Sequence, residues 1–91
     1  MDYYLLEYII NIRMKKTIYS KEHKYTVEQL KKGRKEAGLT QVEVARIIHR
    51  TQSYISKIES GQRRIDLYQL IQLANVYKKE ITFFIKNPSP I

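Results

Sequence analysis

The chain has 91 residues, of which 43% are hydrophobic and 29% are charged, a composition that excludes a disordered chain and indicates one small domain. It has no cysteine, which excludes a disulfide scaffold, a thiolate metal site and a thiol nucleophile. Its 17 Lys and Arg residues outnumber 9 Asp and Glu residues and give a formal net charge of +8. This excess favours a polyanionic partner, nucleic acid first and an anionic membrane surface second.

Residues 1–25 are interpreted as an N-terminal arm. Apolar residues occupy the even positions Tyr4, Leu6, Tyr8, Ile10, Ile12 and Met14. This alternation predicts a strand, although residues 5, 8, 9 and 12 also have helical spacing. A lone strand needs a partner, so the arm pairs with a second copy, packs on the domain or is poorly ordered. The arm does not resemble a signal peptide, because Asp2 is an early acidic residue and no basic segment precedes the apolar run.

Two capping boxes predict the first two helices. Thr26-Val27-Glu28-Gln29 opens a helix that runs to about Ala37, where Gly38 ends it. The second box begins at Thr40 and precedes a short helix. Its expected buried stripe is Val44, Ala45 and Ile48.

Three further helices follow. Thr51 is expected to cap the third helix, at 52–60, and Gly61 to end it. Asp66 is expected to cap the fourth, and a short fifth helix is predicted over 81–85. The inward residues are expected to be Ile55 and Ile58 in the third helix and Leu67, Leu70, Ile71, Ala74 and Tyr77 in the fourth.

The middle pair of helices carries the functional information. Only two residues separate Ile48 from Thr51, so the helices must cross steeply, as in a helix-turn-helix. The third helix then directs outward Gln52, Ser53, Ser56 and Lys57. These residue types suit the edges of bases in a major groove, because Gln can pair with adenine and Lys with guanine.

The stretches LTQVEVA (39–45) and ISKIESG (55–61) resemble the Cro/repressor, Xre-type helix-turn-helix family, and the likeness covers residues 26–85. The resemblance implies an all-α, five-helix, lambda-repressor-like DNA-binding domain at 26–86. The N-terminal extension would precede it, and residues 87–91 would be a tail. It also implies a homodimer on a palindromic operator.

The resemblance implies roles for particular residues. Gln52, Ser53 and Lys57 match base-reading positions, and Ser56 shares their face. Gln41 matches a residue that contacts a phosphate and could brace Gln52. The expected contacts with the DNA backbone are Gln41, Arg50, Tyr54, Ser60, Arg63 and Arg64, with a thymine methyl as the alternative contact for Tyr54. Arg34 and Glu59 match a partly buried salt bridge.

Two positions depart from the family pattern. His49 stands where glycine is usual, so a strained or altered turn with positive φ is expected. Ile65 stands where proline is frequent. The nine basic residues between positions 13 and 35 are either a solvated face or additional phosphate contacts.

The sequence therefore predicts a cytoplasmic, sequence-specific transcription regulator, with repression as the expected effect and double-stranded DNA as the partner. The alternative is an antitoxin or adaptor whose apolar arm holds a small protein partner. No catalytic spacing or glycine-rich phosphate loop occurs, so no enzyme, metal or cofactor is expected. His23 and His49 are too isolated for a metal site. A membrane-surface binder is disfavoured because the apolar faces fit a packed core.

Overall fold

A computed structural model of the protein describes residues 20–86. This part of the chain contains four α-helices and one 3-10 turn and no strand, which confirms the all-helical prediction. The elements are α1 (Lys21–Glu36), α2 (Gln41–Ile47), α3 (Gln52–Glu59), α4 (Leu67–Tyr77) and the 3-10 turn Ile81–Phe83. The predicted strand of the arm and the tail 87–91 lie outside the described residues.

The start of α1 differs from the prediction. The hydroxyl of Ser20 accepts a hydrogen bond from the backbone N–H three residues later, so the helix begins earlier than Thr26. Thr26 Oγ1 instead donates to the carbonyl of Phe84 at 2.7 Å, and Gln29 Nε2 donates to that of Phe83 at 2.9 Å. The predicted capping box at Thr26 is therefore wrong, and its two polar side chains anchor the C-terminal turn.

The other three caps form as predicted. The hydroxyl of Thr40 accepts from the N–H of Glu43 at 3.1 Å, and the carboxylate of Glu43 accepts from the N–H of Thr40 at 3.0 Å. Thr51 and Asp66 accept from the N–H groups three residues ahead, at 3.2 and 2.8 Å. These local hydrogen bonds satisfy backbone donors that have no partner inside the helix.

One hydrophobic core joins all five elements. Its members are Leu30, Val44, Ala45, Ile48, Tyr54, Ile55, Ile58, Leu70, Leu73, Ala74, Tyr77 and Phe84. Gly33 lets α1 approach the end of α4 and the 3-10 turn, because an added Cβ would lie 3.3 Å from the rings of both Tyr77 and Phe84.

The buried face of α4 was only partly predicted. Leu70, Ala74 and Tyr77 are buried as expected, but Leu67 is 60% exposed and Ile71 is 39% exposed. Leu73, which the predicted stripe omits, is buried. The buried face of α4 is therefore rotated about the helix axis relative to the predicted apolar stripe.

The fifth element is shorter than the predicted helix over 81–85. It is a 3-10 turn whose cap, Phe84, is completely buried. The rings of Phe83 and Phe84 meet edge to face with centroids 5.0 Å apart. Among the helices of residues 20–86, none combines the length and the apolar character that crossing a membrane requires.

Candidate nucleic-acid interface

The turn between α2 and α3 is intact despite its histidine. His49 has φ of 57°, which is the left-handed conformation expected at this position. Its N–H donates to the carbonyl of Arg46, and the N–H of Arg50 donates to that of Ala45 at 2.8 Å. These bonds close the end of α2, while buried Ile48 fixes the turn on the core. The turn thus sets the direction in which α3 leaves α2.

The two sides of α3 differ sharply. Ile55 and Ile58 are each 1% exposed and pack inward. The four residues predicted to face outward, Gln52, Ser53, Ser56 and Lys57, are all exposed. This outward side, called here the α3 polar face, carries hydrogen-bonding groups and one positive charge and no carboxylate.

The only acidic residue of α3 points away from that face. Glu59 accepts two hydrogen bonds from Arg34 of α1, at 2.8 and 3.1 Å, and one from Gln41 Nε2 at 3.2 Å. The side chains of Arg34 and Glu59 are 11% and 4% exposed, so the ion pair implied by the family resemblance is present and largely buried. The hydrogen bond to Glu59 raises the pKa of the Arg34 guanidinium above its ordinary value. The pair ties α1 to α3 and removes a negative charge from the surface.

Gln41 does not brace Gln52 as expected. Its amide nitrogen is bonded to Glu59, so it secures the start of α2 to the end of α3. The second N–H of the same amide is still a donor for a phosphate oxygen. The expected phosphate contact of Gln41 therefore stays a prediction, now with a defined side-chain orientation.

Tyr54 occupies a different environment from its neighbours on α3. It is only 6% exposed, and its ring centroid lies 4.9 Å from the guanidinium carbon of Arg50 and 4.8 Å from that of Arg63. Burial raises the pKa of the Tyr54 hydroxyl, an effect that the two guanidiniums oppose. No sequence pattern indicates this arrangement, because one arginine precedes α3 and the other follows it.

The exposed cations around α3 lie mostly in one groove. His49, Arg50, Ser53, Tyr54, Lys57 and Arg63 are among its lining residues. Arg64 is exposed in the loop that follows α3, and Ser60 Oγ there donates to the carbonyl of Lys57. Within residues 20–86, none of the cations Arg50, Lys57, Arg63 and Arg64 forms an ion pair. Their charge is therefore available to an anionic partner.

The two histidines of the chain lie apart in the described residues. His23 belongs to α1, where its Nε2 lies 3.4 Å from the carbonyl oxygen of Gly61, and His49 is in the turn before α3. The part of the chain that the structure describes holds no group of three or more His, Cys, Asp or Glu side chains arranged to bind a metal ion.

A family model described as helix-turn-helix matches residues 30–84, more than half of the chain. The chain belongs to the Cro/C1-type helix-turn-helix family. This helix-turn-helix protein is accordingly a DNA-binding transcription regulator, of a family that is typically non-enzymatic. No curated protein and no solved structure matches the chain.

Proposed function

We propose that this helix-turn-helix protein is a sequence-specific repressor that binds a palindromic operator as a homodimer, with α3 in the major groove. The α3 polar face carries the proposal. It lies opposite Ile55 and Ile58, which are buried, and its acidic neighbour Glu59 is neutralised by Arg34. A helix with one side fixed in a core and the other polar and free of negative charge can enter a groove lined by base edges.

Sequence preference would come from three side-chain types on the α3 polar face. Gln52 can bond bidentately to adenine, and Lys57 can donate to guanine. Ser53 and Ser56 can bond to either kind of base edge. Gln52 and Ser53 lie in the first turn of α3, the end of a recognition helix that contacts bases in this docking geometry.

Affinity would come from phosphate contacts around α3. Arg50, Arg63 and Arg64 are exposed and without ion pairs among the described residues, while Gln41 adds a neutral donor. The Ser60 hydroxyl would add another by exchanging its hydrogen bond to the carbonyl of Lys57 for one to a phosphate. If each half-site engages about four phosphates, log Kd should change steeply with log salt, with a slope near 0.9 per phosphate contacted.

Two copies of α3 would read two half-sites about 34 Å apart, one turn of B-DNA. Such a dimer would repress transcription by occupying a promoter. A palindrome is expected because the symmetry of the site mirrors the two-fold symmetry of the protein.

The test is selection of binding sites from random duplexes at low and at moderate salt, with wild-type protein and Gln52→Ala. A palindromic consensus that survives moderate salt, and that is relaxed by Gln52→Ala, is expected. Gln72→Ala removes an exposed glutamine from α4 and is the matched control, expected to select the wild-type site. DNA retained without a consensus and lost as salt rises would overturn the proposal. The antitoxin or adaptor function would then be tested by co-purification of a small protein.

A further inference from the structure

Two arginines from opposite ends of the recognition helix meet on one aromatic ring. Arg50 precedes α3 and Arg63 follows it, thirteen positions later. Both guanidinium carbons lie within 4.9 Å of the ring centroid of Tyr54. The two cations cannot be further apart than those two short distances combined. Tyr54 therefore brings together charges that the path of the backbone leads to different ends of α3.

On the described surface, no carboxylate is bonded to either arginine of this pair. Neither arginine forms an ion pair within residues 20–86. Asp66 is close enough to act on Tyr54, but its carboxylate accepts from the N–H of Gln69 at the cap of α4 and forms no ion pair with either arginine. Two cations on one ring repel each other, and the attraction of each cation to the ring quadrupole offsets that repulsion. An anion close to both guanidiniums would relieve it further.

We propose that Tyr54 is a positioning residue whose ring holds Arg50 and Arg63 as a preformed pair for the phosphates of the DNA backbone. This inference rests on the proposed function for the identity of the anion. Guanidinium groups match phosphate geometry, and fixing them before binding lowers the entropy cost of ordering two long side chains. Tyr54 is only 6% exposed and both arginines lie against its ring, so in this proposal it acts through the arginines.

The first measurement compares Tyr54→Leu with Tyr54→Phe on a random-sequence duplex between 50 and 200 mM salt. Tyr54→Leu keeps an apolar core residue but removes the ring, and should weaken binding roughly tenfold and reduce the salt slope by about one phosphate. Tyr54→Phe keeps the ring and should bind like wild type. If Tyr54→Phe loses as much affinity as Tyr54→Leu, the hydroxyl and not the ring matters, and the proposal is wrong.

A core variant separates positioning from stability. Ile58→Val trims a side chain that is 1% exposed, on the same helix, and leaves the ring of Tyr54 and both arginines in the chain. It should lower the melting temperature yet leave the affinity and the salt slope unchanged. If Ile58→Val weakens binding as much as Tyr54→Leu does, loss of core packing explains both results, and the proposed positioning role of Tyr54 is wrong.

The second measurement needs no folded Tyr54 variant. In NMR spectra of the free wild-type protein, the side-chain signals of Arg50 and Arg63 should show ring-current shifts that Arg46, an exposed arginine of α2, lacks. Addition of the random-sequence duplex should perturb both arginines together. Unshifted signals, or a duplex that perturbs neither, would overturn the proposal. Failure of the proposed function would be seen separately, as the absence of a consensus in the site selection.

Discussion

Removing the carboxylate of Glu59 should strongly destabilise the fold. In Glu59→Ala, Arg34 loses two of its three side-chain hydrogen bonds and keeps only the one to the carbonyl of Leu39, at 2.9 Å. The Arg34 guanidinium cannot lose its proton to avoid being a buried unpaired charge, and its side chain is only 11% exposed. Breaking a buried ion pair in this way costs about 3–5 kcal/mol. We expect the lower end, about 3 kcal/mol, because some water can reach Arg34.

Thermal unfolding followed by circular dichroism tests this expectation. Domains of this size lose about 4–8 °C of melting temperature per kcal/mol, so Glu59→Ala should melt roughly 12–24 °C below wild type. The matched control is Glu36→Ala, which breaks the second ion pair of the described residues, with Lys79. That pair is exposed, with side-chain exposures of 42% and 29%, so its loss should leave the melting temperature nearly unchanged.

The comparison of the two variants tests whether the buried, multiply bonded pair is the one that stabilises the fold. Equal melting temperatures for Glu59→Ala and Glu36→Ala would refute the reasoning, because the buried pair, with its three hydrogen bonds to Glu59, should cost far more to break than the exposed one. Glu59→Gln keeps an acceptor for Arg34 but removes the negative charge. Its melting temperature should lie between those of wild type and Glu59→Ala, since hydrogen bonds to a charged acceptor are stronger than those to a neutral one.

Three further predictions concern single positions. Gln52→Ala should cost about 1–3 kcal/mol on the selected site and relax its preference, as measured by competition between duplexes; unchanged preference would exclude base reading. Arg64→Ala should weaken binding to all duplexes alike and lower the salt slope by about one, whereas a new preferred sequence would contradict a phosphate role. His49→Gly should raise the free energy of unfolding, measured by chemical denaturation, by about 1 kcal/mol, because glycine adopts φ of 57° without steric cost. Lys78→Gly, at φ of 56°, should have the same effect. A lower free energy of unfolding in both variants would show that neither position is strained.

The sequence alone predicted the features that depend on neighbouring residues. Thr40, Thr51 and Asp66 cap their helices as expected, since each side chain bonds an N–H only three residues away. The positive φ of Gly61 and the buried side of α3 were also predictable, because a helix end and a 3.6-residue period are local properties. The outward side of α3 followed from the same period.

Packing between distant segments decided the rest. Thr26 fits a capping pattern, but its hydroxyl donates a hydrogen bond to the carbonyl of Phe84, 58 positions away. Helix α4 has apolar residues on several sides, so its period could not show that Leu73 would be buried and Leu67 exposed. The sequence by itself thus determined where the central helices begin and end and which family they form. Only the tertiary structure placed Arg50 and Arg63 on the ring of Tyr54, because that contact requires two loops to fold back against the same side of α3.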